Sequence, residues 1–150
     1  MWEPFQFFVG SWHGTGEGHS GASLVERTYR FILRDRYLQV TSRSTYPPQE
    51  KNPAGEIHEE MGVVSFDKGR GAFVFRQFHG EGFVNQYVAE TVADTEIVFA
   101  TEVIENIAPD WQARETYLLS GPDAFVERFE LAAPGKTYDL YSENRFTRDR

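Results

Sequence analysis

The amino-acid sequence predicts an all-β protein, a ten-stranded antiparallel up-and-down β-barrel preceded by a short N-terminal helical turn. Three observations support this fold class. Apolar and polar residues alternate along most of the chain, which is the side-chain period of a strand. Turn-forming residues interrupt the alternation at short intervals, and such turns favour antiparallel neighbours. Ten strands in an open sheet would leave two unpaired edges, and closure into a barrel removes both.

The predicted elements follow one another without a break in the pattern. The helical turn is expected in the aromatic segment PFQFFVG, residues 4–10. The longest connection, Tyr46–Gly55, contains three prolines, and we expect it to be mobile and to border the mouth of the barrel. Residues 1–150 are predicted to form one domain. The predicted strands are Ser11–Gly18, Ser23–Leu33, Tyr37–Thr45, Ile57–Phe66, Ala72–His79, Phe83–Val92, Glu96–Glu105, Trp111–Leu119, Ala124–Ala132 and Thr137–Thr147.

The first predicted strand contains GSWHGTGEG, in which small residues recur at every second position. One strand face therefore carries Gly10, Trp12, Gly14, Gly16 and Gly18. Glycines on one face permit sharp coiling and the close approach of another backbone. We expect them to let the strand coil so that the barrel closes, with the tryptophan packed into the base. Their spacing does not match the G-x-G-x-x-G fingerprint of dinucleotide-binding proteins.

The composition excludes several classes of protein. The chain has no cysteine, so disulfides, thiolate metal sites and cysteine nucleophiles are excluded. The formal net charge is -8 and basic residues are interleaved with acidic ones, so nucleic acid is not a predicted partner. The start of the chain lacks the basic region of a secretory signal, and no apolar run is long enough for membrane insertion. We therefore expect a cytoplasmic protein.

The stretch GSWHGTGEG also fits the G-x-W-x-G-x-G-x-G signature of nitrobindin-like heme-binding β-barrels, which the sequence resembles over nearly its whole length. That family is related to fatty-acid-binding proteins within the lipocalin-like, or calycin, group. The resemblance implies a ten-stranded barrel without a two-helix lid, heme held by a histidine near the C-terminus, and activity on nitrogen oxides. The last predicted strand, TYDLYSENRFTRDR, has no histidine and offers only Tyr138 and Tyr141 as axial ligands. Heme is therefore a candidate cofactor that the sequence does not favour, and the cofactor is left unknown.

Polar residues on the inward face of the barrel are the candidates for a binding site. A turn at Gly80–Gly82 places Gln77 opposite Asn85 on the neighbouring strand. The face that carries these two residues, His79 and Tyr87 has more aromatic bulk than the other, so we predict that it points inward. The four side chains would then lie near one end of the cavity. In the alternative interpretation, His79 and Asn85 lie at strand ends in solvent.

The ninth predicted strand places Glu127 among inward-facing aromatic residues. A carboxylate inside an apolar barrel is costly unless it has a partner. Arg114 falls on the same face if Gly121-Pro122 is a two-residue turn, so the sequence predicts an interior ion pair between Glu127 and Arg114. Such a pair either recognises the polar head group of a ligand or is purely structural. Asn144, on the last strand, is a further candidate for the polar interior.

Histidines and carboxylates do not predict a metal site. His58 and Glu60 are one pleat apart on a predicted strand, with Glu56 before them. This pattern is more typical of a solvated acidic face than of a metal centre. His13 and His19 lie about 20 Å apart along an extended strand, too far to share an ion.

The sequence favours a binding protein whose interior cavity takes a small, mostly apolar ligand with a polar head group, that is, a hydrophobic or amphipathic small molecule. The first alternative is a heme protein that acts on nitrogen oxides. The second is an enzyme with Glu127, Arg114, His79 and Tyr87 as acid–base groups, although no motif selects a reaction. The third is a solid barrel that binds another protein through an apolar patch. The oligomeric state is left open, with a homodimer among the alternatives.

Overall fold

Ten antiparallel strands close into a barrel in the computed structural model, which describes residues 1–150. Each strand pairs with its neighbours in sequence, and the first pairs with the last to complete the ring. The predicted all-β, up-and-down barrel with a short N-terminal helix is therefore confirmed. The elements are α1 (Glu3–Gln6), β1 (Gly10–Gly18), β2 (Ser23–Ile32), β3 (Tyr37–Tyr46), β4 (Glu56–Asp67), β5 (Ala72–His79), β6 (Val84–Val92), β7 (Glu96–Glu105), β8 (Gln112–Ser120), β9 (Ala124–Ala132) and β10 (Asp139–Arg148).

Burial alternates along the strands as the period of two requires. In β1, β2 and β3 each buried residue is followed by one that is partly or fully exposed over most of the strand. The predicted strand bounds agree with the observed ones to within two residues. The only helix, α1, has four residues and is far too short to cross a membrane.

Aromatic side chains fill the end of the barrel at which α1 lies. The Phe8 ring centroid lies 5.1 Å from those of Tyr29 and Phe125. Trp12 is almost completely buried there, and its indole Nε1 donates a hydrogen bond to the carbonyl of Phe8 at 2.7 Å. The void left in this core is only about 20 Å³. This end of the barrel, which we call the closed end, therefore has no room for a ligand.

Arg148 joins β10 to the segment that follows α1. Its guanidinium donates to the carbonyls of Phe7 at 2.6 Å and Val9 at 2.7 Å. It also binds the carboxylate of Asp123 at 3.1 Å and lies 4.3 Å from the ring centroid of Trp12. Hydrogen bonds with an ionised donor are stronger than neutral ones. One side chain thus holds the helical turn against the strands that close the barrel.

The glycines of β1 make room for side chains of β10. A Cβ atom at Gly14 would lie 2.8 Å from the ring of Phe146. A Cβ atom at Gly16 would lie 2.5 Å from the hydroxyl of Ser23 and would overlap the amide oxygen of Asn144. Any side chain at these two positions would displace its neighbours. The glycines of β1 therefore have a steric role, because side chains of β10 occupy the space that side chains of β1 would otherwise fill.

Candidate functional site

The end of the barrel opposite α1 is open and holds a cavity of about 260 Å³. We call this space the mouth cavity. Ser20, in the turn after β1, and the residues on either side of the long connection, Tyr46 of β3 and Glu56 of β4, border it. Only four of its fifteen lining residues are hydrophobic. Its lining contains no lysine or arginine but includes five carboxylates: Glu56, Glu60, Glu81, Glu115 and Glu127.

A buried ion pair lies at the floor of the mouth cavity. Arg27 of β2 donates from Nη1 to Glu127 Oε2 at 2.6 Å and from Nη2 to Glu127 Oε1 at 3.1 Å. The arginine Nε also donates to the Ser42 hydroxyl at 3.0 Å, and Asn144 donates to Glu127 Oε1 at 2.9 Å. Burial would raise the pKa of Glu127, but Arg27 and Asn144 outweigh it and keep the pKa below its usual value. Glu127 is therefore ionised at neutral pH.

The predicted interior pair of Glu127 with Arg114 is wrong. The connection between β8 and β9 has three residues, 121–123, and Ser120 pairs with Ala124 across it. A two-residue turn would have placed Arg114 on the inward face, and the extra residue reverses the faces of β8. Arg114 instead lies outside the barrel and donates to Glu130 at 3.0 Å. The predicted inward position of Glu127 is correct, and this residue is buried.

The reversed face of β8 brings Glu115 into the barrel, which the sequence analysis did not predict. Glu115 is buried and accepts a hydrogen bond from the Tyr117 hydroxyl. Its pKa is raised well above the usual value, chiefly by burial and then by the negative charges of Glu127 and Glu60. A hydrogen bond to Glu115 also helps to lower the pKa of Glu127. The floor of the mouth cavity thus holds a neutral carboxylic acid beside an ionised carboxylate.

A chain of hydrogen bonds leads from β6 to the mouth cavity. Asn85 Nδ2 donates to the Tyr87 hydroxyl at 2.9 Å, which donates to Gln77 Oε1 at 3.3 Å. Gln77 Nε2 then donates to Glu60 Oε2 at 2.8 Å. The predicted pairing of Gln77 with Asn85 is confirmed, and Asn85 is almost completely buried rather than solvated. Asn85 and Tyr87 lie behind the cavity wall and help to orient Glu60.

Two histidines and two carboxylates meet at the side of the mouth cavity. His58 Nδ1 lies 2.7 Å from Glu81 Oε2, and His58 Nε2 lies 3.3 Å from His79 Nδ1. The prediction of a solvated face for His58 and Glu60 is wrong, because both side chains line the cavity and are at least 80% buried. The carboxylates of Glu60 and Glu81 raise the pKa of His58 to about 9, against the effect of burial. Burial lowers the pKa of His79, which is therefore neutral at pH 7.

The mouth cavity does not fit heme. Its volume of about 260 Å³ is below the range of roughly 300–1,000 Å³ typical of pockets for drug-sized ligands. Its carboxylates would repel the propionates of heme. Tyr138 lies under the guanidinium of Arg114, outside the barrel, and Tyr141 lies at the rim. The ring of His79 is covered by Phe83, with 3.9 Å between the ring centroids.

The structure brings most of the predicted polar residues into the barrel. His79, Glu127 and Asn144 line the mouth cavity, and three more predicted residues lie inside the barrel: Gln77, Asn85 and Tyr87. Arg27 and Glu115 were not predicted from the sequence to lie at this site, and Glu60 was predicted to lie in solvent. Arg27 is two residues from both Val25 and Tyr29 on β2. Strand alternation therefore predicts that it points inward, as they do.

Comparison with known proteins supports the fold. A scan against models of protein families finds no match, and a search of curated proteins finds none. The crystal structure of Rv2717c from M. tuberculosis superposes with a TM-score of 0.76 at 19% identity, covering 99% of this chain and 97% of that chain. The S-type phycobiliprotein lyase CPES from Guillardia theta gives a TM-score of 0.60 at 13% identity, covering 99% and 92%. EF1p2_mFAP2b bound to DFHBI gives 0.50 at 8% identity, covering 98% and 97%. At these identities the likeness shows that the chain shares the barrel fold of these proteins.

Proposed function

We propose that the protein binds a small amphipathic molecule in the mouth cavity, with the head group on the floor and the apolar part at the rim. One observation carries the proposal: buried, hydrogen-bonded charges form the floor of an open cavity, directly above a solid aromatic core. Ligand sites occur in the mouths of β-barrels, and placed polar groups fix the orientation of the ligand there. The resemblance to nitrobindin-like barrels supports ligand binding inside the barrel but not heme as the ligand.

The polar floor is expensive for a barrel that has only a structural role. Removing an ion from water into a protein interior costs several kcal/mol even after relaxation. The closed end shows that this chain can fill a barrel with aromatic side chains. The half of the barrel that faces the opening instead holds Arg27, Glu115 and Glu127. Charged groups retained at this cost beside an opening support recognition of a ligand rather than packing.

The charges of the mouth cavity favour a head group that donates hydrogen bonds. Glu127 and Glu60 present carboxylate oxygens, and the two nearby cations, Arg27 and His58, are already paired with Glu127 and Glu81. The neutral Glu115 can either donate its proton or accept a hydrogen bond. An amine, amide or alcohol fits this set, whereas a carboxylate or phosphate is repelled. The apolar part of the ligand would contact the aromatic rings that line the cavity: Tyr46, Phe83, Phe129 and Tyr141.

Structurally similar barrels also support binding of a small molecule. One of them, EF1p2_mFAP2b, is bound to DFHBI in its solved structure. The mouth cavity here is smaller than the pockets of most drug-sized ligands. We therefore propose a compact ligand, of which only the head group enters the barrel fully.

The test compares two single substitutions on β3. Ser44 is buried and lines the mouth cavity, so Ser44→Phe fills the cavity. Its neighbour Thr45 points outward, so Thr45→Phe adds the same ring to the outer surface. We expect native mass spectrometry to find a small molecule on the wild type and on Thr45→Phe but not on Ser44→Phe.

If nothing co-purifies, amide chemical shifts report binding of probe compounds. Butylamine, butyramide and butanol should shift the signals of Glu115 and Glu127 in the wild type and in Thr45→Phe, whereas butyrate should not. Equal shifts in Ser44→Phe, or no saturable shift with any of the four probes, would refute the proposal. Circular dichroism checks that both variants keep the barrel.

An acid–base enzyme is a second candidate, favoured by the protonation states of Glu115 and Glu127. Two neighbouring carboxyl groups whose pKa values are shifted apart are typical of catalytic acid–base pairs. Glu115 would act as the acid and Glu127 as the base, on a substrate held above them. Conversion of the bound molecule during incubation at neutral pH would distinguish an enzyme from a binding protein.

A further inference from the structure

We propose that His58, His79 and Glu60 bind one divalent transition-metal ion, such as Zn²⁺, at the side of the mouth cavity. The ligand atoms are His58 Nε2, His79 Nδ1 and Glu60 Oε2, and a fourth coordination position is open to the cavity. The sequence analysis predicted no metal site, because it did not bring His79 together with His58. This proposal does not depend on the small-molecule ligand, since the three residues can hold an ion by themselves.

The distances between the three ligand atoms match a tetrahedral site. Zinc lies about 2.0–2.1 Å from nitrogen and oxygen ligands, which sets neighbouring ligand atoms about 3.3 Å apart. His79 Nδ1 lies 3.3 Å from His58 Nε2 and 3.3 Å from Glu60 Oε2. The third side of the triangle, from His58 Nε2 to Glu60 Oε2, is 3.8 Å. An ion above this triangle would contact all three atoms with little movement of the side chains.

The strand register explains why these three side chains meet. His58 and Glu60 are two residues apart on β4, so both point into the barrel. His79 of β5 pairs directly with Glu60 across the sheet. Side chains of directly paired residues start only about 5 Å apart, so the imidazole and the carboxylate reach one another. Two regular strands, rather than a loop, therefore hold all three proposed ligands.

Neighbouring residues orient the proposed ligands as they do in metal sites. The carboxylate of Glu81 lies 2.7 Å from His58 Nδ1 and can hold the proton on that nitrogen, so an ion has to displace only the proton on Nε2. A carboxylate behind a metal-binding histidine is a common arrangement. Gln77 donates to Glu60 at 2.8 Å. The ring of Phe83 stacks on His79 with 16° between the planes, which fixes the imidazole.

The surroundings of His79 show which of its ring nitrogens faces the proposed site. Its side chain is 92% buried, and its ring nitrogen Nε2 has no hydrogen-bond partner. In the neutral ring with its proton on Nε2, Nδ1 carries the lone pair and is free to bind an ion. In His79 the nitrogen that has neighbours is Nδ1, which faces His58 and Glu60.

The ligand set indicates the kind of metal and its use. Two imidazoles and one carboxylate suit zinc and the neighbouring divalent transition metals, whereas magnesium and calcium prefer oxygen ligands alone. Three protein ligands with one open position are typical of catalytic rather than structural zinc. An ion here could hold a water molecule or a ligand atom inside the mouth cavity. The mouth cavity would then recognise a ligand in two ways, through its polar floor and through the proposed ion.

The experiment titrates metal-depleted protein with Zn²⁺ by calorimetry and with Co²⁺ by visible absorption. The four histidines of the chain provide matched controls, because His13 and His19 lie on the outer surface. The variants are His58→Gln and His79→Gln, with His13→Gln and His19→Gln as controls. We expect one ion per chain in the wild type and both controls, with the visible bands of four-coordinate Co²⁺. Affinity should fall at least about 100-fold in His58→Gln and His79→Gln, and about 10–100-fold in Glu81→Gln.

A measurement on the wild type keeps the test decisive if a variant does not fold. X-ray absorption of the Zn²⁺-loaded protein should show two imidazoles and about four ligands at 2.0–2.1 Å. The proposal is overturned by the absence of saturable Zn²⁺ binding. It is also overturned by binding that survives in both His58→Gln and His79→Gln, or that is lost in His13→Gln.

Discussion

Glu115 and Glu127 stand side by side on the floor of the mouth cavity with different protonation states. Arg27 makes two hydrogen bonds to Glu127 and keeps its carboxylate ionised. Glu115 has no such cation within hydrogen-bond distance and is as deeply buried, so it keeps its proton. The difference arises from partners rather than from residue type. A single buried arginine thus decides which of the two acids is charged.

The raised pKa of Glu115 predicts a specific dependence of stability on pH. An unfolded glutamate loses its proton above about pH 4.3, whereas the folded protein keeps Glu115 protonated. Above that pH the folded state binds the extra proton, so this residue makes stability fall by up to roughly 1.4 kcal/mol per pH unit. Glu115→Gln mimics the neutral acid and removes this contribution.

The measurement is urea unfolding of the wild type and of Glu115→Gln at pH 5, 6, 7 and 8. The stability of the variant relative to the wild type should increase steadily with pH. A constant difference between the two proteins over this range would show that Glu115 is ionised in the folded state. Glu105→Gln, on an exposed residue at the end of β7, is the control.

The ion pair of Arg27 with Glu127 connects two strands that are not neighbours in the sheet. β2 pairs with β1 and β3, whereas β9 pairs with β8 and β10. The contact therefore spans the interior of the barrel and joins residues 100 positions apart in sequence. Its charges also replace the apolar contacts that fill the closed end. At this level electrostatics links two strands that are separated in the sheet by β1 and β10.

Removing one partner of this pair should destabilise the barrel more than removing both. Arg27→Met leaves Glu127 as a buried, unpaired charge, a change that typically costs about 3–5 kcal/mol. The double variant Arg27→Met/Glu127→Leu removes both buried charges of these two strands and should recover a large part of that loss. Urea unfolding measures both differences. Equal destabilisation of the single and double variants would show that the unpaired charge is not the cause.

At the scale of elements the sequence predicted the strands well and their contacts across the barrel poorly. Turn residues and alternation located all ten strands, and the register of β5 with β6 was correct because its turn was identified. The register of β8 with β9 was wrong because one turn residue was missed, which moved Arg114 to the outside. The partner of Glu127 lies on β2, and a contact between strands that are not paired depends on the shear of the closed barrel. The shear cannot be predicted from the alternation of apolar and polar residues or from the turn residues.

The two ends of the whole molecule differ in construction. Aromatic residues and α1 fill the closed end, while polar residues surround the mouth cavity. Arg148 at the end of β10 fastens the segment after α1 to the barrel through two carbonyls and Asp123. The contact brings the two ends of the chain together beneath the aromatic core. Arg148, whose side chain is 24% exposed, therefore supports the closed end together with α1.

Replacing Arg148 should weaken the whole barrel. Arg148→Gln removes charge-assisted hydrogen bonds, which contribute about 1.5–3 kcal/mol to stability. Arg145→Gln on the same strand is the control, because that side chain is 68% exposed and should change stability by less than about 0.5 kcal/mol. Thermal and urea unfolding measure both variants. A loss for Arg148→Gln no larger than that for the control would contradict the role given to Arg148.

The closed end also has a kinetic consequence. A molecule inside this barrel can enter and leave only by the same path, because the aromatic core blocks the other end. A substitution at the rim that raises or lowers the barrier along this path changes the association and dissociation rates by the same factor and leaves affinity unchanged. A substitution on the floor acts on the bound state alone, so it changes the dissociation rate and the affinity together. For the ligand proposed above, residence time would therefore be altered at the rim and selectivity at the floor, independently of one another.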